Sequence, residues 1–427
     1  MNRYANMIRA LKTPAVMEQL IHLYGNRDGM LVSQTARYTS VLKRHEEYFN
    51  CDREVLLVSA PGRTEVGGNH TDHNRGRVLA AAVNLDTLAA VSARDDMLVH
   101  LHSEGYPALT VDLNDLSARK EEEGTTAALI RGVAARMKEL GYKIGGFDAA
   151  ATSSVASGSG LSSSAAFEVL ICAIIDALYN GFVVNAKLRA QIAQYAENVF
   201  FGKPCGLMDQ MASSWGGLVA IDFGSEDPQV TAMKFDFNEA GLIPVVVSVG
   251  GDHGNLTNEY AALPAEMKAV AAALGGKVLR DIDPAEMEAK IAFLKGKVCD
   301  RAILRALHFY DENKRVDTLV EGLKKGEVNT FLAMLIASGE SSWKLLQNLY
   351  VAGSDNEEMP LALEMSRRML EGKGAWRIHG GGFAGTILAF VPAEMIGDYT
   401  ARMNSVFGEG AVTELMIRAD GAYAVEF

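Results

Sequence analysis

The sequence has 427 residues, of which 48% are hydrophobic and 22% charged. That length favours two or three domains, and the balance is globular, which excludes general disorder. Forty-one Lys and Arg against fifty-three Asp and Glu leave a net charge of −12. Such a surface is not built to coat nucleic acid or anionic membrane, although a local pocket for a small anion stays open. Cys51, Cys172, Cys205 and Cys299 show no CxxC spacing, so neither a disulfide framework nor a zinc site is expected.

A soluble protein in a reduced, cytoplasmic setting is the expectation. The N-terminal stretch is broken by Arg3, Arg9, Lys12 and Glu18 and lacks a signal-peptide core. The most apolar run, from Leu161, is cut by Glu168 and Asp176. The uncharged run from Ile378 is Gly-rich and falls short of the ~20 residues a membrane span needs.

In chain order, the first fifty residues mix charged and apolar residues at helical spacing. VLLVSA, Val55 to Ala60, reads as a strand ended by Pro61-Gly62. VLAAAVNLDTLAAVSA, MLVHLHS and ALTVDL follow as strands, then an amphipathic helix over Thr125 to Leu140. FDAAATSSV leads through a Gly/Ser loop into an apolar helix from Leu161, and a second helix runs from Asn185 to Phe201. GLVAIDF and LIPVVVSV read as strands, helices dominate from Ala261 to Leu370, and TILAFV, ELMIRA and AYAVEF return to strand. This order predicts an α+β architecture of two domains, 1–240 and 241–427.

Four constellations carry chemistry. The first is Gly158-Ser159-Gly160-Leu161-Ser162-Ser163-Ser164 before the apolar helix. Glycines let backbone N–H groups approach a phosphate, the helix N-terminus adds partial positive charge, and serine hydroxyls donate to phosphate or ligate magnesium. No Lys-Ser/Thr follows the glycines, so this is not a Walker A loop, and a plain Gly/Ser turn with a serine cap is the alternative. The second is Arg63 followed by Gly68-Asn69-His70-Thr71-Asp72-His73. Asp72 accepting and His70 donating or accepting suit a polyol; metal ligation by His70, Asp72 and His73, or simple turn chemistry, are the rivals. The third is Glu197 and, twelve positions on, Asp209 in PCGLMDQ. An acid after the apolar Leu207-Met208 pair is expected to be partly desolvated, with a raised pKa suited to a base, a plain helix N-cap being the alternative. The fourth is GGGFAG, Gly380 to Gly385, either a tight bend or a second backbone wall against a nucleotide.

Taken in order, Arg63 with the His70/Asp72 segment, GSGLSSSAA, CGLMDQ and GGGFAG resemble the galactokinase branch of the GHMP small-molecule kinases. Arg305-Ala306-Leu307-His308 with Glu312-Asn313 resembles that family's RAxH…EN element, so the resemblance covers most of the chain from Arg37. It implies a ribosomal-S5-like N-terminal domain, a ferredoxin-like C-terminal domain and an active site in the cleft between them. It also implies ATP- and Mg2+-dependent phosphorylation of galactose at the anomeric hydroxyl, by a cytoplasmic monomer.

Carried over residue by residue, Asp209 matches the catalytic aspartate and Arg63 its neighbouring arginine. Ser164 and Glu197 match magnesium ligands, and Gly158 to Ser164 match the loop that cradles the triphosphate. Asn69, His70, Asp72, Gly206 and Tyr260 stand at sugar-contact positions, Tyr260 through the stretch GNLTNEY. The chain departs from the family pattern at Asn69 (Glu in the family), His73 (Tyr), Glu65 (Asn), Ala156 (Pro) and Ala384 (Gly). Asn69 in place of a carboxylate facing C6 leaves a C6-modified hexose, such as galacturonate, as an alternative substrate. A non-catalytic sugar- and ATP-binding sensor is the alternative from another class.

Overall fold

The computed structural model describes residues 3–155, 160–250, 256–351, 353, 355 and 357–427. Its strands are β1 (Leu56–Gly67), β2 (Arg77–Ala93), β3 (Leu98–Ser103), β4 (Leu109–Asp112), β5 (Phe147–Ser153) and β6 (Leu218–Asp222). They continue as β7 (Gln229–Met233), β8 (Leu242–Gly250), β9 (Ala375–Ile378), β10 (Gly385–Pro392), β11 (Val412–Glu414) and β12 (Tyr423–Ala424).

The first sheet runs β12-β1-β2-β5-β3-β4, with β6 also paired to β2 and β7 to β6. The length of β2 makes this fork possible: Thr87 to Ala93 pair with β5, while Arg77 to Ala81 pair with β6. Side-chain alternation sends Val58, Ala89 and Val91 into one core, beneath helices Thr126–Glu139, Ser163–Tyr179 and Ala186–Tyr195. Their neighbours Leu57, Leu88 and Ala90 enter the opposite core, covered by helices Arg3–Ala10, Pro14–Tyr24 and Met30–Phe49. The sheet is therefore buried on both faces, which explains why β2 reads as an almost continuous apolar run.

The second sheet has the order β11-β8-β10-β9, with every pairing antiparallel. Helices intervene between β8 and β9, and helix Ile396–Phe407 lies between β10 and β11, giving the βαββαβ order of a ferredoxin-like unit. The change of sheet falls between β7 and β8, near residue 240. The chain then returns: Ala424 pairs with Val58, and Arg418 is buried against Asp86 of the first sheet at 2.7 Å. No helix among the described residues is long and apolar enough to cross a membrane.

Three local expectations need correction. β1 does not stop at Pro61-Gly62 but runs to Gly67, accommodating the break by register shifts at Pro61/Arg63 and Glu65/Gly67. ELMIRA is not a strand: only Glu414 lies in β11, and Ile417 makes one isolated bridge to Val83. β7 and β9 were not legible. β7 is a largely exposed, polar edge strand, and β9 carries a buried arginine, Arg377, in its centre.

Candidate active site

Arg63 and Asp209 are 146 positions apart in sequence and joined side by side in space. Arg63 lies on β1, 6% exposed, and donates through Nε and Nη2 to the two Asp209 oxygens at 2.6 Å each. This is a bidentate, charge-assisted pair. Asp209 is the second residue of helix Met208–Trp215, at the end where an acid is favoured by the backbone dipole. Burial pushes the Asp209 carboxyl up, but the charge and hydrogen bonds of Arg63, the Ser162 hydroxyl and Lys203 outweigh it. The net direction is down, which corrects the sequence expectation of a raised pKa. Glu65 shows the opposite balance: it is 3% exposed, and burial outweighs Arg377 and Arg63 to leave its carboxyl raised.

The serine turn abuts this pair. Gly158 and Ser159 lie outside the described residues. Gly160 has φ +71°, and its carbonyl accepts from Arg63 Nη1. A Cβ at Gly160 would meet His379 Nδ1 at 2.7 Å, so glycine lets the turn press against the second sheet. Leu161 is not a nucleotide contact through its side chain: it is 2% exposed, in the core with Val66 and Val155, and its carbonyl accepts from Arg63 N at 3.0 Å. Ser162, expected at the phosphates, donates to Asp209 Oδ2. Ser163 opens the 17-residue helix Ser163–Tyr179, half-buried, where the backbone dipole favours an anion.

Ser164 Oγ donates to Glu197 Oε1 at 3.3 Å. Glu197 is 3% exposed on a π-helical turn, Ala196–Phe201, that continues helix Ala186–Tyr195. Its other oxygen, Oε2, accepts from Gln210 Nε2 at 2.7 Å. The same Gln210 nitrogen reaches Glu168 Oε2 at 3.1 Å. Burial, then the charge of Glu197, pushes Glu168 well above the ordinary carboxyl value. A hydroxyl and a carboxylate oxygen side by side are a hard donor pair of the kind Mg2+ takes together with water and phosphate oxygens. Among the described residues no cluster of three His, Cys, Asp or Glu side chains is placed to hold a metal alone. The His70/Asp72/His73 metal reading therefore finds no support.

The sugar motif divides in two. Asp72 and Gly206 face each other so closely that a Cβ on Gly206 would overlap the Asp72 carboxylate, 2.6 Å from its Cγ. Asp72 Oδ1 accepts from His73 N at 2.9 Å. The other members bind the glycine turn: Asn69 Nδ2 donates to Gly380 O (2.8 Å), His70 Nε2 to Gly381 O (2.9 Å) and Tyr260 OH to Gly382 O (2.8 Å). Three successive carbonyls of the turn are thus engaged by Asn69, His70 and Tyr260. Burial pushes the His70 imidazole down to about 4 and the Tyr260 phenol up to about 12.

Asn69 is 0% exposed and its amide is fully committed. Besides Gly380 O, Nδ2 donates to Glu65 Oε1 at 3.0 Å, while Oδ1 accepts from Asn348 Nδ2 at 3.0 Å and Ser342 Oγ at 3.3 Å. An amide has two donors and two acceptor sites, and all four are used. The expected contact between Asn69 and the sugar is therefore not the role this geometry gives it, and the argument for a C6 carboxylate loses its basis. The RAxH…EN helix, Asp300–Lys325, explains how the loop is held. His308 Nε2 donates to Asn69 O (3.0 Å), Glu312 Oε1 accepts from Gly68 N (3.0 Å) and Asn313 Oδ1 accepts from Arg77 N (2.7 Å).

Sequence reasoning missed Gln210, Glu168, Arg377 and His379. Gln210 could have been found, since it follows Asp209 directly. The others carry no local signal, because their partners come from distant segments.

Comparison with known proteins gives the fold and the family. The family model described as GHMP kinases N terminal domain matches residues 128–217, and the galactokinase galactose-binding signature matches residues 43–93. Lactococcus lactis galactokinase complexed with galactose superposes with a TM-score of 0.80 at 22% identity, covering 91% of this chain and 99% of that one. The Methanococcus jannaschii mevalonate kinase does so with a TM-score of 0.61 at 15% identity, over 86% and 99% of the two chains. The architecture is that of the GHMP small-molecule kinases. Galactokinase from Streptomyces coelicolor is 31% identical over 371 residues, 86% of this chain and 92% of that protein. Galactokinase from Glaesserella parasuis serovar 5 is 32% identical over 349 residues, 79% and 86% of the two. The chain belongs to the galactokinase family.

Proposed function

We propose that this protein transfers the γ-phosphoryl group of ATP to the anomeric hydroxyl of galactose, giving galactose 1-phosphate and ADP. The observation that carries the reading is the Arg63–Asp209 pair, touching the serine turn through Ser162 and lying three residues beyond the glycine that faces Asp72. A phosphate-binding turn, an ionised carboxylate and a polyol-binding carboxylate thus converge within one family framework.

Phosphoryl transfer needs in-line positioning and charge neutralisation more than a strong base, because its transition state is loose. The sugar oxygen bonds to the γ-phosphorus as the bond to the β–γ bridging oxygen breaks, and Asp209 accepts the hydroxyl proton. Held below the usual carboxylate range, Asp209 is ionised at neutral pH and ready to orient that hydroxyl. Arg63 fixes both carboxylate oxygens, so the group cannot rotate away. Magnesium bound with ATP supplies neutralisation of the triphosphate; Ser164 Oγ and Glu197 Oε1 are the oxygens that fit it. We take the enzyme to work as a monomer in a reducing, cytoplasmic setting, a reading consistent with four cysteines that have no disulfide partner.

The test is an ADP-release assay over a panel of monosaccharides with and without Mg2+. Galactose is the expected best acceptor. Turnover of another hexose without turnover of galactose would overturn the substrate and leave a sugar kinase. Saturable binding of sugar and ATP with no ADP formed at any sugar would make the protein a sensor.

A further inference from the structure

Lys203 belongs to none of the motifs above, yet it stands at the mouth of the site. It follows Gly202, which closes the π-helical turn with φ +80°. The loop backbone is tied at several points: Lys203 N donates to Glu197 O at 3.2 Å, Cys205 N to Asn198 Oδ1 at 2.7 Å, and Gln194 Nε2 to Cys205 O at 3.2 Å. From this fixed base the side chain reaches back, placing Nζ 3.5 Å from Glu197 Oε1. That is the same oxygen to which Ser164 donates; Oε2 is already taken by Gln210. The ammonium thus occupies the one outward oxygen of a buried carboxylate, and its charge helps hold the Asp209 carboxyl down.

An exposed lysine beside a carboxylate is ordinarily a surface ion pair that contributes little, about 0–1 kcal/mol. Two observations separate Lys203 from that case. First, the side chains of the pair are unequal: Glu197 is 3% exposed and Lys203 64% exposed, so the cation is solvated and free to turn while its partner is fixed. Second, the two buried arginines beside the turn, Arg63 and Arg377, are engaged. Arg63 is held by both Asp209 oxygens and Gly160 O, and Arg377 by Glu65 Oε1 and Val66 O. The segment 156–159, Ala-Ser-Gly-Ser, brings no cation by sequence. A polyanionic triphosphate entering at the serine turn therefore meets the helix N-terminus, the Ser164–Glu197 oxygens and an ammonium held only by a 3.5 Å contact to Glu197.

We propose that Lys203 is a phosphate-binding residue of the nucleotide site, resting on Glu197 in the nucleotide-free enzyme and turning its ammonium to a phosphate oxygen of ATP. Lysine serves such a role as a point charge on a flexible stem, with three donors that need no planar match. The inference rests on the kinase reading.

The test compares Lys203→Met, which keeps length and loses charge, with Lys203→Arg, which keeps charge. ATP affinity is measured by calorimetry in EDTA, without turnover, alongside KM for ATP and for galactose. For Lys203→Met, losing one charge-assisted hydrogen bond to phosphate should weaken ATP binding and raise KM for ATP about tenfold or more. KM for galactose should stay put, and Lys203→Arg should restore most of the ATP affinity. ATP affinity and KM within twofold of the native enzyme in Lys203→Met would overturn the proposal and leave a surface ion pair. Equal losses for ATP and galactose would overturn it too, as the mark of a merely structural loop. A native enzyme without turnover would refute the kinase reading, while the EDTA binding comparison would still decide on Lys203.

Discussion

Gly206→Ala isolates the sugar subsite with a single methyl group. Gly206 does not have a positive φ, so its backbone accepts alanine without strain. The perturbation is purely steric: the new Cβ would lie 2.6 Å from Asp72 Cγ and 3.3 Å from Oδ1, and would overlap Oδ2. Carbon atoms in contact sit about 3.5–4.0 Å apart, so the carboxylate must retreat by ~1 Å or more. With Asp72 holding the sugar as proposed, that displacement should forfeit a charge-assisted hydrogen bond to a hydroxyl, worth roughly 1.5–3 kcal/mol, or about a tenfold to hundredfold rise in the galactose Kd. The Arg63–Asp209 pair and the serine turn lie outside the clash, so KM for ATP should change little.

Calorimetry with galactose and steady-state kinetics over both substrates read the effect, and Asp72→Asn provides the second arm of a cycle. Because both changes disable the same carboxylate, the double variant should lose scarcely more galactose affinity than the worse single variant. A Gly206→Ala enzyme with native galactose affinity, or full additivity of the two losses, would refute the claim that Asp72 holds the sugar.

Asp209→Asn should lower kcat by at least ~10²–10⁴-fold with galactose affinity within a few-fold, measured by single-turnover kinetics and calorimetry; a folded variant with near-native turnover would remove Asp209 from the chemistry. Because Asp209 lies below the usual carboxylate range, kcat/KM for galactose should show no acid limb from this residue between about pH 5 and 8. A limb with an apparent pKa near about 6–7, in protein shown to be folded, would contradict the Arg63 pairing. Stability should fall with acidification: burial lowers His45 from 6.5 to about 4. Its contribution is complete above pH 6.5 and lost as pH falls toward 4, because the unfolded chain takes up the proton first. Roughly 3 kcal/mol is at stake, so melting temperatures should drop across that window, and His45→Gln should flatten the drop.

The parts of the site legible in the sequence are those whose chemistry is local. The serine turn, the acid after Leu207-Met208 and the His70/Asp72 loop are dense in polar or glycine residues beside apolar elements, which marks binding loops on a scaffold. What the sequence could not show is which groups meet. Asp209 was read from its apolar neighbours, but the deciding partner, Arg63, approaches from 146 positions away and reverses the pKa direction. The family resemblance puts Asn69 at a sugar contact, where galactokinases carry Glu, yet its four partners come from residues 65, 342, 348 and 380. The fold shows the same limit. The long apolar run of β2 predicts a strand, whereas β9 is a strand by its pairing with β10, and its buried Arg377 is matched by Glu65 of β1, a contact no local pattern encodes.

Three successive residues of β1 explain how the two sheets act as one site. Arg63 holds Asp209 and both carbonyls of the turn's start, Gly160 and Leu161, the latter through its backbone N–H. Thr64 Oγ1 is 3.1 Å from His379 Nε2, and His379 in turn packs where Gly160 has no side chain. Glu65 accepts from Arg377 at 2.6 Å and from Asn69, which carries Gly380. A regular strand points alternate residues to opposite faces, and a one-residue slip exchanges them all. The two register shifts of β1, at Pro61/Arg63 and Glu65/Gly67, bracket this tripeptide. Bulges re-aim side chains and recur beside active sites. A buried ion pair such as Glu65–Arg377 adds little net stability over apolar residues of the same volume, because both charges lose their water. Its geometry is what matters here: Arg377 also donates to Val66 O at 2.7 Å, so the second sheet can dock on β1 in one register, the register that sets His379 against the serine turn.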